Sequence, residues 1–532
     1  MKDKFRHFVQ EFENEVTDLS KEATLAYFDA SISGKEDDFR RASELQHKLS
    51  LLFADKEKFE ELKIYKDYDF GDPVLNRQAE RLYNEFAGTQ FNPELLEKII
   101  KLSATVEEQF SVFRAEVDGV KYTDNQIDDV LQDSEDSEQL QKFWEASKQI
   151  GAVVKDDVIK LVKMRNEAAR ELGFENHHTM SLTLSEQDPA ELDRLFDELD
   201  KLTRDEFAKL KSEIDNFLSK KYNAPVDDLM PWHYQDKFFQ QGPKIYSVDL
   251  DRYYMNEDIV KLTRDYYNGL GMNIDDLLEK SDLFEKEGKY QHAYCTDIDR
   301  SGDVRVVCNV KPNYRWTGTM LHEYGHAVYD KYVNKDLPWI LREHSHIFTT
   351  EAIAMLFGRM AANPDWIKDM TGISEEEKNE IASDCFNSLK LEQLTFSRWV
   401  QVIYRFERAM YAYPDLDLNA LWWELVEKYQ MLKKPAGRNA PDWAAKIHIS
   451  LYPAYYHNYI LGELTASQLH SYIMKNYVNG GSTSLVNNKN AGKFLMDKFF
   501  YPGALLHWSE LIKSSTGEEL TPKYYAEQFV HN

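Results

Sequence analysis

Five consecutive residues in the middle of the chain have the types and spacing of a metal-binding helix. The stretch His322-Glu323-Tyr324-Gly325-His326 places two histidines four positions apart, and positions i and i+4 lie one above the other on a helix face. Both imidazoles can therefore reach one metal ion, with Glu323 directed toward water at that ion. The pattern predicts zinc-dependent hydrolysis with Glu323 as general base.

A glutamate in the next apolar helical run supplies a third ligand. A catalytic zinc takes three protein ligands and keeps one position open for water, and Glu351 completes that set. A second interpretation stays open, because Phe348 to Glu351 also resembles a helix start with a threonine cap. His344 and His346, in the predicted loop before it, are the alternative ligands.

The elements that position these residues are predicted to be mainly helices. Only 22 glycines and 15 prolines occur in 532 residues, and the rest is rich in helix-forming residues. One hairpin is expected, since the β-rich runs Tyr290 to Thr296 and Val304 to Val310 flank the turn residues Asp299 to Asp303. It leads directly into the predicted zinc helix, and a strand edge there would hold an extended peptide by its backbone groups.

A second cluster of polar and aromatic residues lies about a hundred residues further along the chain. It contains Lys446, His448 and three tyrosines, Tyr452, Tyr456 and Tyr459, that are predicted to share one helical face. An aromatic stripe of this kind is typical of a helix core. A zinc hydrolase also needs neutral donors for a developing oxyanion, so a catalytic role for the phenols stays open.

Amino-acid composition limits which binding partners and which cellular compartment are expected for this chain. The 65 basic and 92 acidic residues give a net charge of −27, which disfavours nucleic acid and anionic membrane surfaces. The cysteines, Cys295, Cys308 and Cys385, fit neither a disulfide framework nor a thiolate zinc site. No apolar leader or 18-residue apolar stretch occurs. We expect a cytoplasmic protein; an exported one whose leader is absent from this sequence would look the same.

Together these motifs resemble the M2 family of zinc peptidyl-dipeptidases, the angiotensin-converting-enzyme family. Beyond the zinc motif, the family's KDLP string stands at Lys335 to Pro338 and its His-Ala strand at His292-Ala293. Its Ala-Lys-x-His-Ile string matches Ala445 to Ile449, and its paired tyrosines match Tyr456 and Tyr459. The wider thimet-oligopeptidase-type M3 peptidases share this architecture.

The resemblance implies the overall organisation. It predicts a mainly α, elongated helical peptidase with two halves around a deep substrate channel and a small β-hairpin beside the zinc helix. A single domain would cover residues 1–532, with an N-terminal helical lid portion at about 1–115 and the zinc and substrate site at about 285–460. It also implies one Zn²⁺ per chain and short peptide substrates. We expect a monomer, and the net charge gives no reason to expect nucleic acid or membrane partners.

The implied metal site uses His322, His326 and Glu351 as zinc ligands and Glu323 as general base and acid. The family's aspartate one turn after the ligand glutamate is Met355 here. Metal-bound histidines normally donate their other ring N–H to a fixed acceptor. The group that orients the second imidazole is therefore not identified by the sequence.

The implied substrate-binding and transition-state residues are Gln235, His292, Ala293, Lys446, His448, Tyr452, Tyr456 and Tyr459. His448 and Tyr459 would stabilise the oxyanion. His292 would hold the carbonyl beyond the scissile bond. Lys446 and Tyr456 would bind the terminal carboxylate of the peptide, joined by Gln235, which is offset by about one residue from the family's pattern.

The function expected is the release of dipeptides from the C-termini of short peptides. The same zinc chemistry would also serve an endo-oligopeptidase or a single-residue metallocarboxypeptidase. A catalytically silent peptide-binding protein is the alternative from another class. Glu323 argues against that alternative, because a binding protein needs no general base.

Overall fold

A computed structural model describes residues 1–246, 248–478 and 482–531. In these residues the chain is mainly α-helical, which confirms the predicted fold class. The helices of the first half are α1 (Lys2–Ser33), α2 (Glu36–Phe53), α3 (Lys56–Lys66), α4 (Pro73–Ala87), α5 (Pro93–Val112), α6 (Asp124–Asp133), α7 (Ser137–Ser147), α8 (Gln149–Glu171), α9 (His177–Leu184) and α10 (Pro189–Lys221).

The second half is helical on both sides of the predicted metal site. Its helices are α11 (Asp251–Tyr254), α12 (Ile259–Gly269), α13 (Asp275–Lys280), α14 (Tyr314–Tyr332), α15 (Ile347–Gly358), α16 (Pro364–Thr371), α17 (Glu375–Ala412), α18 (Leu418–Leu425), α19 (Ile447–Leu451), α20 (His457–Tyr477), α21 (Lys489–Phe494), α22 (Trp508–Thr516) and α23 (Lys523–Phe529). No helix among the described residues is both long and apolar enough to cross a membrane.

The chain divides into two compact units, each assembled from separate stretches of sequence. Unit 1 comprises Met1–Gln90, Val248–Phe386 and Leu461–Tyr524. Unit 2 comprises Phe91–Ser247, Asn387–Ile460 and Tyr525–Asn532. Because the chain passes between the units several times, no single cut separates them. The single-domain organisation with an N-terminal lid stays a prediction.

In unit 1, a glycine lets the N-terminal helices turn closely against the segment that precedes the hairpin. Helix α1 ends at Ser33, and Gly34 follows in the left-handed conformation with φ 67°. A Cβ on Gly34 would lie 2.1 Å from the carbonyl oxygen of Gly288, so only glycine allows this approach. The backbone N–H of Tyr290 also donates to the carbonyl of Ser31 at 2.8 Å.

The hairpin before the zinc helix is present, with shorter strands than predicted. Tyr294–Asp297 pairs antiparallel with Val304–Val307, in a register that places Tyr294 opposite Val307. The Asp297 carboxylate accepts from the N–H groups of Asp299 and Arg300, which fixes the turn. The run from Tyr290 to Ala293 lies outside the strand. The placement of His292-Ala293 on a strand is therefore wrong.

Unit 2 contains a second, smaller hairpin that the sequence reading did not identify. Strands Ala115–Val117 and Val120–Tyr122 pair antiparallel. Asp118 and Gly119 connect them, both with positive φ, 51° and 80°. An Asp-Gly pair between short β-rich runs is a strong hairpin signal, so local sequence alone carried enough information to predict it.

Candidate metal centre and substrate-binding residues

Two helices of unit 1 bring the predicted zinc ligands together. Helix α14 carries His322 and His326, and helix α15 carries Glu351. Inside the zinc motif, Gly325 faces α15, and a Cβ there would lie 2.8 Å from the Cα of Ala354. Glycine at this position therefore allows the helices to approach closely enough for all three side chains to share one site.

The three side chains form a compact donor set. One ligand atom from each of His322, His326 and Glu351 lies within 4.8 Å of the others, and no other His/Cys/Asp/Glu set of this kind occurs in the described part of the chain. The Nε2 atoms of the two histidines are 3.8 and 3.9 Å from a Glu351 carboxylate oxygen. The predicted grouping is confirmed.

The electrostatics of this site fit a divalent cation. Burial lowers the pKa of His322 to about 4 and that of His326 well below its usual value, so both imidazoles are neutral, as metal ligands must be. Burial also raises the pKa of Glu351 to about 7. Two neutral imidazoles and a carboxyl group in a partly buried site match the ligand set of a catalytic zinc.

The residue that orients the second imidazole is Thr350. Its hydroxyl oxygen lies 2.7 Å from Nδ1 of His326. Thr350 is buried within helix α15, which begins at Ile347 with His346 as its N-cap. The predicted helix start is thus displaced slightly: the N-cap is His346 rather than a threonine, and Thr349 completes the cap by accepting from the N–H of His346 at 3.2 Å.

The alternative histidine ligands have other roles. The Nδ1 atom of His346 accepts a hydrogen bond from the N–H of Phe348 at 3.2 Å and caps helix α15. His344 places its Nδ1 atom 3.6 Å from a carboxylate oxygen of Asp330. Neither histidine contributes an atom to the donor set.

Glu323 is the buried carboxyl group beside the ligands. Only 8% of this residue is exposed, and burial, followed by the charge of Glu351, raises its pKa to about 8. A carboxyl group whose pKa lies near neutrality can both accept and return a proton. Glu323 therefore has the properties of a general base and acid.

His292 and Ala293 immediately precede the first hairpin strand of unit 1. His292 is exposed in a bend, and its ring centroid lies 5.4 Å from that of Tyr290. Ala293 is half-buried. The structure therefore describes their local environment, while their contact with substrate stays a prediction.

In unit 2, Lys446, His448 and Tyr456 form one cluster. Lys446 Nζ lies 5.4 Å from the ring centroid of Tyr456, and the His448 ring lies 5.0 Å from the same ring, nearly perpendicular to it. Burial lowers the pKa of Lys446 to about 8. Burial, then the charge of Lys446, lowers the pKa of His448 to about 4. The cluster thus combines a cation with neutral donors.

The amide that contacts Lys446 is Gln240, which the sequence reading missed. Lys446 Nζ donates to the side-chain oxygen of Gln240 at 2.7 Å. The predicted partner, Gln235, has a positive φ of 61° and donates to the backbone carbonyl of Gln132 at 3.1 Å. Both glutamines and Lys446 line one cavity of about 590 Å³. The Gln240-Gln241 pair was the available signal, but local sequence does not give the direction in which these side chains point.

The three tyrosines do not form one continuous helical face. Residues 452–456 form a bend and turn, and helix α20 begins at His457. Tyr452 is half exposed, and Tyr459 lies in the first turn of α20 with its ring centroid 5.3 Å from that of Tyr456. The predicted stripe is wrong, because Pro453 and the positive φ of Ala454 interrupt the helix.

Comparisons with known proteins agree with these motifs. Residues 1–524 match the peptidase M2 family, described as angiotensin-converting enzyme. The chain is 24% identical to the angiotensin-converting enzyme of Oryctolagus cuniculus over 308 residues, 56% of this chain and 22% of that protein. The corresponding enzyme of Sus scrofa is 22% identical over 428 residues, 74% of this chain and 32% of that protein.

A relative described as inactive also matches. The inactive angiotensin-converting enzyme-related protein of Caenorhabditis elegans is 23% identical over 370 residues, 61% of this chain and 40% of that protein. The chain thus spans less than half the length of these curated relatives. Their described properties belong to longer proteins.

Proposed function

Because the chain belongs to the M2 peptidase family, we propose that it is a zinc metallopeptidase that releases dipeptides from the C-termini of short peptides. The observation that carries the proposal is the grouping of the partly buried side chains of His322, His326 and Glu351 beside the buried Glu323. A zinc ion held there would supply a Lewis acid that polarises the scissile carbonyl and lowers the pKa of water.

Glu323 would carry out the proton transfers in this reaction. It would accept a proton from the attacking water and return it to the leaving amine, a double role that suits a buried carboxyl group with a raised pKa. The surrounding burial also excludes bulk water, which strengthens charge interactions at the site. An inert binding protein would gain nothing from this buried carboxyl group.

Lys446 and Gln240 support the exopeptidase part of the proposal. Burying the Lys446 ammonium group is costly, as its lowered pKa shows. A peptide carboxylate would offset that cost, and the Gln240 amide beside it would add a hydrogen-bond donor. An endo-oligopeptidase has no corresponding need for a buried cation that recognises a chain end.

The nature of the reaction is tested by product analysis. A decapeptide with a free C-terminus should lose successive dipeptides, measured by mass spectrometry, and its C-terminally amidated form should be cleaved far more slowly. Equal cleavage of both forms at internal bonds would favour the endo-oligopeptidase, and loss of single residues the carboxypeptidase. Intact peptide at full zinc occupancy would favour the binding protein.

The metal assignment is tested by metal analysis. The folded protein should carry about one zinc per chain, and His322→Ala or Glu351→Ala should lose it. His344→Ala is the matched control, because this nearby histidine lies outside the donor set. Zinc loss in the control with retention in His322→Ala would overturn the ligand assignment.

A further inference from the structure

In unit 2, two side chains of helix α17 make hydrogen bonds to the turn formed by residues 452–456. A carboxyl oxygen of Glu407 accepts from the backbone N–H of Ala454 at 2.9 Å. The indole N–H of Trp399 donates to the hydroxyl oxygen of Tyr456 at 3.0 Å. Trp399 and Glu407 are eight residues apart on one helix, which separates them by about 12 Å along its axis. One rigid helix therefore fixes both the turn and the tyrosine that ends it.

The turn needs such support because its backbone is strained. Ala454 has a φ of 54°, a left-handed conformation that residues with a Cβ rarely adopt. It follows Pro453, and a positive φ directly after proline is the pattern of a turn that normally contains glycine or asparagine. Alanine offers no intrinsic preference for this geometry, so contacts from outside the turn must hold it.

Glu407 is an unusual residue to find at this depth. It is 2% exposed, and burial raises its pKa to about 8, although the Ala454 N–H and the charge of Arg165 oppose the rise. Arg165 itself donates to the hydroxyl of Tyr411 and to the carbonyl of Ser450. Burial thus favours the protonated form of the carboxyl group, and one of its oxygens serves as the acceptor for the Ala454 N–H.

We propose that Glu407 is a positioning residue for the active site, because it holds the Ala454 turn that places Tyr456 and Tyr459. Tyr456 supplies the carbonyl that accepts from the N–H of Tyr459 at 3.3 Å, so a shift of the turn moves both phenols together. The inference rests on the proposed function and on the roles that the family resemblance implies for the two tyrosines: Tyr456 binds the terminal carboxylate and Tyr459 stabilises the oxyanion.

Two substitutions separate the acceptor oxygen from simple packing. Glu407→Gln keeps a carbonyl oxygen at the same place, whereas Glu407→Met has similar length without an acceptor. We expect Glu407→Met to lower kcat by about tenfold or more at unchanged zinc content, because the partly buried N–H of Ala454 would lose its acceptor. Glu407→Gln should stay within about twofold of the wild type, as should the exposed control Glu424→Met.

A second-site substitution tests the mechanism. Ala454→Gly removes the Cβ that disfavours the positive φ, so the turn should persist without Glu407. In the Glu407→Met background it should recover about fivefold of the lost turnover. Equal activity of the Gln and Met variants, or no recovery with glycine, would overturn the proposal.

Hydrogen exchange gives a readout that does not depend on peptidase activity. Glu407→Met should increase amide exchange in peptides covering residues 450–459, with no change in peptides covering 322–326, and Ala454→Gly should reverse the increase. Unchanged exchange at 450–459 would refute the positioning role. If the wild-type protein cleaves no peptide at full zinc occupancy, the proposed function fails, while the exchange pattern still decides whether Glu407 holds the turn.

Discussion

The Nδ1 atom of His326 lies 2.7 Å from the hydroxyl oxygen of Thr350, the residue immediately before the ligand Glu351. An N–H donated from Nδ1 to Thr350 leaves the lone pair on Nε2, the atom that faces the Glu351 carboxylate at 3.9 Å. One turn of helix α15 therefore provides both a metal ligand and the group that orients another.

Thr350→Val should weaken zinc binding by about tenfold or more, because an isosteric methyl group cannot accept the imidazole N–H. Thr350→Ser retains the hydroxyl and should keep affinity close to that of the wild type. The measurement is a competition titration of zinc against a chromophoric chelator. Identical affinities for the valine and wild-type proteins would show that the imidazole is oriented by packing alone.

Glu323→Gln should retain zinc and peptide binding but lose turnover by about 10³-fold. The amide preserves size and hydrogen bonding, so only proton transfer is removed. Zinc content, calorimetric peptide affinity and single-turnover rate are measured on the same preparation. A variant with near-normal turnover would remove Glu323 from the mechanism.

Lys446→Met should raise KM for free-acid peptides by about tenfold or more and leave amidated peptides nearly unchanged, because the ammonium group pairs with the terminal carboxylate. Gln240→Leu should act in the same direction, since its amide contacts Lys446. Gln235→Leu is the matched control, because its side chain contacts Gln132 instead. A larger effect at Gln235 than at Gln240 would support the original family-based assignment.

Recognition of the free C-terminus should weaken at alkaline pH. Burial lowers the pKa of Lys446 to about 8, so the side chain is mostly charged at pH 7 and loses its proton as the pH rises through 8. KM for free-acid peptides should therefore increase above pH 8, while KM for amidated peptides does not. The increase should disappear in Lys446→Met. A parallel increase for both peptide classes would trace the effect to another group.

The stability of the folded protein depends on the charge of Lys446 in the opposite direction: it increases at alkaline pH, where substrate recognition weakens. The folded pKa of Lys446 lies below its unfolded value, so burial of the charged form costs stability below pH 8. That cost is relieved as the pH rises from about 8 toward 10.5. Lys446→Met should therefore stabilise the protein most at neutral pH, as measured by denaturant unfolding.

Sequence alone determined the features that depend on local geometry. The spacing of His322 and His326 places both imidazoles on one helix face whatever surrounds the helix. The mainly helical character and the hairpin at Asp299 to Asp303 follow from composition and turn chemistry. The third ligand, Glu351, was identified by the ligand number that catalytic zinc requires.

Tertiary structure decided which side chains meet across elements. Thr350 is 24 residues from His326, and their contact exists only because Gly325 lets two helices approach closely. Gln240 rather than Gln235 contacts Lys446, and the Gln235 side chain instead donates to the backbone carbonyl of Gln132 from another part of the chain.

The same reason explains the failed tyrosine prediction. A periodic pattern predicts a helical face only while the helix continues. Here the helix is interrupted by the turn at Ala454, which accepts support from Glu407, a residue far away in the sequence, through a hydrogen bond from the Ala454 N–H. Periodicity describes what one segment does by itself. The strained turn is stable only when a buried carboxyl group 47 residues away accepts its N–H, which is information that no local pattern contains.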